Sequence, residues 1–185
     1  LKGIDRPAIA AILPTKVGHS IIVDVGANVD CPPSQLLQFG VMGSVYAKYI
    51  FDRHHPTVGL LSIGEEDSKG NEITKEAFHL LKNSSNNFIG NIEGREVYRG
   101  YADVIVCDGF TGNVAIKISE SVAELFDWAL ASAFSGSSLN RLGHYLWRGV
   151  FKKVAGMMDY TEYGGAPLLG LNGSCIIAHG RSSPK

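Results

Sequence analysis

The chain has 185 residues, enough for one domain with a proper core and marginal for two. Hydrophobic residues make up 45% and charged ones 19%, which excludes a disordered polar chain, and 17 Lys plus Arg against 18 Asp plus Glu leave no global field to draw in nucleic acid. No apolar run reaches the length of a membrane span, the first residues do not read as a secretory signal, and Cys31, Cys107 and Cys175 stand at unrelated spacings. Those three cysteines fit a reducing cytoplasm better than a disulfide framework or a metal cage.

The first residues already read as interior strand although the chain begins at Leu1, so an N-terminal part is expected to precede them. Residues 8–13 and 21–25 are two apolar runs that can pair through the turn "PTKVGHS". Ser34, after Pro32 and Pro33, is expected to cap a helix over 35–51. A strand over 58–63 follows, then a helix started by Asn71 and running to about residue 82, then a strand over 87–92. Residues 103–107 form the next apolar run. Asn113 is expected to open a long helix to residue 133, with Val114, Ile118, Val122 and Leu125 at helical spacing. A helix over 138–158 and a strand over 174–178 complete the series. Strands alternating with helices predict a single α/β domain over residues 1–185, with a largely parallel sheet and helices on its faces.

In such sheets ligands bind beyond the carboxyl ends of the strands. Those ends carry "DVGANVD", "GEEDSKGNE", "EGR", "DGFTGN" and "AHG", five polar loops that one rim would gather into a site. Asn28, Glu65, Asp108 and His179 are therefore expected to face one cleft. The loops "KGNE" and "DGFTGN" put glycine and an amide before helices, where free N–H groups and the positive dipole end suit an anion. Lys69 adds a charge to the first, and Arg95 offers a bidentate contact. The plainer alternative is that Asn71 and Asn113 are helix caps.

No Walker loop, G-x-G-x-x-G or G-x-S-x-G occurs, which disfavours the usual nucleotide sites and covalent serine chemistry. Asp24, Glu65, Glu66 and Asp108 have the chemistry for proton transfer, ligand orientation or metal binding, but no spacing requires a metal, and no cofactor is expected. His179 is the best-placed histidine for acid–base work, with a core histidine the alternative. Cys107 reads as a small buried hydrophobe rather than a nucleophile, given strand alternation.

A different signal lies in "SLNRLGHYLWRGVFKKVAGMM". Leu142, Leu146, Val150 and Val154 repeat every four residues, Trp147 and Phe151 broaden that face, and Arg141, Arg148, Lys152 and Lys153 supply four positive charges. Such a helix suits an anionic bilayer surface or an acidic protein partner, with an ordinary domain helix as the alternative.

Seven strings taken together are specific: "GIDRPAIA", "VDVGANVDC", "LLQFGVMGSVYA", "GLLSIGEEDSKGNEITKEA", "NFIGNIEGRE", "ADVIVCDGFTGNVAIK" and "DYTEYGGAPLLGLNG". From Gly3 to Gly180 they resemble the acyl-acyl carrier protein:phosphate acyltransferase family of bacterial phospholipid synthesis. That resemblance implies a three-layer α/β/α sandwich related to isocitrate and isopropylmalate dehydrogenases and to phosphotransacetylases. It also implies cytoplasmic homodimers attached peripherally to the membrane. The implied reaction converts an acyl carrier protein thioester and inorganic phosphate to acyl phosphate and free carrier protein.

Family members carry an N-terminal D-x-M-G-G-D motif and a longer C-terminal helix than this chain, so the resemblance implies a fragment of the family's fold. By loop position, Lys69, Asn71 and Arg95 are assigned to phosphate or carrier contacts. Asn28, Asp108, Asn113 and His179 are assigned to the acyl carbonyl. Arg141, Leu146, Trp147, Arg148, Val150, Lys152 and Lys153 are assigned to the membrane or the carrier. The rival readings are a phosphotransacetylase-like or dehydrogenase-like enzyme of the same fold, and a non-catalytic carrier- or membrane-binding module.

Overall fold

The computed structural model describes residues 1–134, 149–150 and 165–178. In chain order the elements are β1 (Ala8–Thr15), β2 (Gly18–Val23), α1 (Pro33–Ile50), β3 (Thr57–Ser62), α2 (Glu72–Lys82), β4 (Asn87–Glu93), β5 (Val104–Val106), α3 (Gly109–Phe134), β6 (Ala166–Leu169) and β7 (Ile176–Ile177). A 3-10 turn at Gly94–Glu96 follows β4.

The strands form one sheet in the order β4-β3-β5-β2-β1-β6-β7. The first four of that order run parallel, while β1 is antiparallel to both β2 and β6, and β6 to β7. The β1–β2 pairing is the expected hairpin, closed at Thr15↔Gly18. Register aligns the ends of the parallel set: Val106 lies opposite both Val23 and Leu60, and Ser62 opposite Glu93. The loops after β2, β5, β3 and β4 therefore leave from one rim.

Alternation along these Val- and Ile-rich strands divides the interior in two. Ile21, Val23, Val58, Leu60, Val104 and Val106 face α1 and α2, where Leu36, Phe39 and Leu81 complete one core cluster. Ile22, Ile105, Cys107 and Ile92 face the other way and are covered by Val97, Ala102 and the first turns of α3 through Ala115 and Ile116. Helices on both faces of the sheet make a three-layer α/β/α sandwich.

Several expected boundaries shift. Helix α1 begins at Pro33 with Pro32 at its cap and no side-chain cap bond, so Ser34 is inside the helix rather than its cap. Proline suits that first turn because it brings no N–H that would go unpaired. Helix α3 starts at Gly109, four residues before Asn113, because Asp108 takes the capping role: its Oδ1 accepts from Thr111 N at 2.7 Å and its Oδ2 from the Thr111 hydroxyl at 2.9 Å.

The apolar row of α3 also faces differently from what its spacing suggests. Ile118, Val122 and Leu125 are 59%, 54% and 60% exposed, and Val114 is exposed as well. It is Gly112, Ala115 and Ile116 that meet the sheet.

At the far edge of the sheet, β6 is a strand that the sequence reading left out; "APLL" contains a proline, which hides a strand from a propensity reading. The strand expected over 174–178 shortens to Ile176–Ile177. Of the expected 138–158 helix only Gly149 and Val150 are described, both helical. The rest of it lies outside the described residues.

Candidate functional site

Four loops share the rim. On the β2–β5 side, Asp24 leaves β2 fully buried and is met by N–H donors alone. Its Oδ1 accepts from Ile9 N at 2.9 Å, Gly26 N at 3.2 Å and Ala27 N at 3.1 Å. Its Oδ2 accepts from Asn28 N at 2.7 Å and from Asn28 Nδ2 at 2.9 Å. The Asn28 amide donates its second hydrogen to the Pro7 carbonyl at 2.8 Å, and the Asn28 carbonyl accepts from Gly109 N at 2.7 Å. Asn28 thus joins the residue before β1, the loop after β2 and the start of α3.

The approach of α3 to this loop requires glycine. A β-carbon at Gly109 would sit 2.6 Å from Asn28 O and 2.8 Å from Asp24 Oδ2, and one at Gly112 would overlap the Asp24 carbonyl oxygen. Asn113 is exposed one turn into the helix, its Oδ1 3.9 Å from where a Gly26 β-carbon would stand.

Two buried thiols flank the same loop. Cys107 Sγ donates to Asp24 O at 3.4 Å and Cys31 Sγ to Asn28 O at 3.3 Å. Burial pushes the Cys107 thiol well up, reinforced by Asp108 and Asp24. Burial likewise raises the Cys31 thiol to about 11, opposed by its backbone hydrogen bond with Gly109. A neutral, buried thiol makes a poor nucleophile, so Cys107 behaves as the buried hydrophobe expected of its strand position.

The β3–β4 side is open. Asn71 caps α2, its Oδ1 accepting from Thr74 N at 2.8 Å. Lys69 is exposed and packs its stem over Gly64. Arg95 is engaged: its Nε lies 2.7 Å from Glu93 and its Nη2 3.0 Å from Glu65. Glu93 first, then Glu65, raise its already high pKa. Beneath this side, Ser62 Oγ and Asn91 Oδ1 are buried without a hydrogen-bond partner among the described residues.

The rim therefore brings together two groups, Asn28 with Asp108 and Asn113, and Lys69 and Asn71 with the Glu65–Arg95–Glu93 cluster. The fifth loop expected there starts from a strand of the wrong direction. β7 is antiparallel to β6, and its Ile177 end pairs with Ala166 rather than with the Leu169 end that meets Ala8 at the rim. His179 itself lies outside the described residues, as do Arg141, Leu146, Trp147, Arg148, Lys152 and Lys153. Val150 is described and is 48% exposed.

By its residue type Asp24 is a candidate for proton transfer, ligand orientation or metal binding, and its five-donor setting was not foreseen. Its position one residue past an apolar strand, with a glycine two residues on, is the available signal. The close approach at Gly109 and Gly112 was also missed, since glycine in a turn-like string reads first as a turn.

The model of the fatty acid synthesis protein family matches residues 1–185. The chain belongs to that family. It is 51% identical over its whole length to a phosphate acyltransferase of Geobacter sulfurreducens, of which it covers 54%. It is 52% identical to one of Pelotomaculum thermopropionicum, again covering 54% of that protein. The chain thus spans about half the length of the curated relatives it matches.

Among solved structures, this family member is similar to the EutD phosphotransacetylase of Staphylococcus aureus, with a TM-score of 0.55 and 18% identity over 67% of this chain and 44% of that one. A phosphotransacetylase from Streptococcus pyogenes gives a TM-score of 0.53 with 19% identity, covering 66% of this chain and 44% of the other. At such identities the likeness is one of fold. No helix among the described residues is long and apolar enough to cross a membrane.

Proposed function

We propose that the protein carrying this chain is an acyl-acyl carrier protein:phosphate acyltransferase, with residues 1–185 as a single α/β domain. The observation that carries this reading is the rim itself, where an exposed Lys69 and the start of α2 share one edge of the sheet with the hydrogen-bonded loop cluster at Asn28 and Asp108. Relatives named phosphate acyltransferase at about half identity support the same chemistry.

A phosphate oxygen attacks the thioester carbonyl carbon, the C–S bond breaks, and the carrier protein leaves as its thiolate, which is then protonated. Phosphate is the nucleophile, so the protein needs to hold an anion against a carbonyl and stabilise the developing oxyanion, and no covalent enzyme intermediate is required. Lys69 and Asn71 serve the phosphate. Arg95, with two carboxylates already on its guanidinium, orders the Glu65–Glu93 edge and reaches carrier protein or phosphate by exchanging one of them. Asn28, Asp108 and Asn113 serve the acyl carbonyl side, and Asn28 and Asp108 work by fixing backbone as much as by direct contact.

Two further features belong to this reading. The protein acts as a homodimer, which the exposed apolar row Val114, Ile118, Val122 and Leu125 of α3 supports. It works in the cytoplasm at the membrane surface through Arg141, Leu146, Trp147, Arg148, Val150, Lys152 and Lys153, which suits release of a lipid-like acyl phosphate. Replacing Leu146 and Val150 by Glu should abolish co-sedimentation with anionic vesicles even at low salt, and replacing Lys152 and Lys153 by Glu should abolish it mainly for anionic rather than neutral vesicles.

The deciding experiment measures free carrier-protein thiol released from acyl carrier protein with and without phosphate. Release that depends on phosphate is the expected result. Equal release without phosphate, or reaction only with acyl-coenzyme A, would refute the reading in favour of another enzyme of the fold.

A further inference from the structure

Asp24 has no role in the reaction as written above, yet it is fully buried at the rim and holds more of it than any residue assigned there. Three consecutive backbone N–H groups, at 26, 27 and 28, converge on its carboxylate with Ile9 N and the Asn28 amide. Successive N–H groups of this kind form a concavity that elsewhere takes an external anion. Here the chain's own carboxylate fills it. The contacts then pass outward, from Asp24 to Asn28, from the Asn28 carbonyl to Gly109 N at 2.7 Å, and so to the first turn of α3, which carries Asp108 and Asn113.

We propose that Asp24 is a positioning residue for acyl transfer, an internal anion that fixes the turn at 26–28 and through it the orientation of the α3 start toward the acyl carbonyl. This rests on the acyltransfer reading. The side chain is sealed from the cleft, so it touches no substrate; it acts by keeping Asn28, Asp108 and Asn113 in one arrangement. Misplacement of such groups by about 1 Å can cost on the order of 100-fold in rate. The phosphate side at Lys69 leaves from β3, beyond β5, and its geometry does not pass through Asp24. Loss of the carboxylate should therefore fall on kcat and spare the phosphate KM.

The test uses the full-length protein. Asp24→Ala should lower kcat about 10–100-fold with the phosphate KM changed less than about twofold. Added formate should restore much of the lost rate, because it returns a carboxylate to five N–H donors. Formamide has similar volume but turns its own N–H groups toward those donors, so it should restore little. An unimpaired Asp24→Ala enzyme, or equal rescue by formamide, would overturn the proposal.

If Asp24→Ala does not fold, Asp24→Asn keeps the shape of the side chain but turns an amide N–H group toward the five donors. That variant should show the same loss in kcat at unchanged phosphate KM, and wild-type kcat in it would overturn the proposal. Wild-type protein assayed alongside separates the two readings. Absence of phosphate-dependent thiol release there overturns acyl transfer and this inference with it, whereas an active wild type with an unimpaired variant overturns only the role of Asp24.

Discussion

Loops of similar composition leave the two halves of the rim, and the structure uses them differently. Beyond β2 and β5, the polar groups turn inward: Asp24, Asn28 and Asp108 accept from or donate to neighbouring backbone, and two thiols seal the loop. Beyond β3 and β4, Lys69 and Asn71 are exposed, Arg95 joins solvent-facing ion pairs, and Ser62 Oγ and Asn91 Oδ1 beneath them are unpaired among the described residues. An acid, glycine and amide after a strand can thus build a rigid wall or an open edge. What decides between them is how closely the next helix approaches. At α3 it approaches so closely that glycine is required at 109 and 112, while α2 starts behind a longer loop.

The largest expected effect comes from adding one methyl to each half. Gly112→Ala would overlap the Asp24 carbonyl, which is backbone and cannot step aside, so it should cost about 3 kcal/mol or more. A methyl at Gly94, in the turn that follows β4, meets nothing within 4 Å. Gly94→Ala should cost below about 1 kcal/mol. Urea unfolding of both variants measures the difference, and equal losses would break the contrast between wall and edge.

Function sharpens it next. Lys69→Ala should lower kcat/KM for phosphate about 10–1000-fold if, as proposed, this exposed cation stands beside the anionic nucleophile. Arg95→Ala should lower it less, about 10-fold at most, because Glu93 and Glu65 already occupy that guanidinium. Steady-state kinetics at varied phosphate distinguishes them. A larger loss at Arg95 would mean that the ion pairs open in the complex and that Arg95, not Lys69, leads phosphate binding.

Much of this was legible in the residues. Unbroken apolar runs such as "VIV" at 104–106 are buried on both faces and announce parallel strands, and Asn71 before "EITKEA" caps its helix as the spacing suggests. The strands' order was not legible. That β5 inserts between β2 and β3 depends on long-range pairing that no local pattern encodes, and so does the contact between Asn28 and Gly109. In helix α3 the periodicity gave the helix but not its buried face: the outward row at 114, 118, 122 and 125 is more apolar than the small residues that meet the sheet. Ser34 misled because serine after a proline pair looks like a cap, while Pro32 and Pro33 already start the helix.

The smallest effect concerns the thiols of the wall. Burial raises Cys31 from 9.0 to about 11 and raises Cys107 well above 9.0 in the same direction. A folded pKa above the unfolded one means that the native state holds the proton longer. Stability from the neutral thiol is then complete below the unfolded value and declines as pH rises; for Cys31 that window runs from about 9 to about 11. Cys31→Ser keeps a donor for the Asn28 carbonyl but does not titrate in this range, so it should reduce the alkaline loss by on the order of 1 kcal/mol relative to wild type. Urea midpoints between pH 8 and pH 11 would show a shallower slope for the variant. Cys107→Ala should flatten the slope likewise and keep activity within about twofold near neutral pH, as direct attack of phosphate on the thioester, the proposed reaction, requires. Abolished turnover in folded Cys107→Ala would make the thiol a nucleophile after all, and the wall a catalytic surface rather than a support for one.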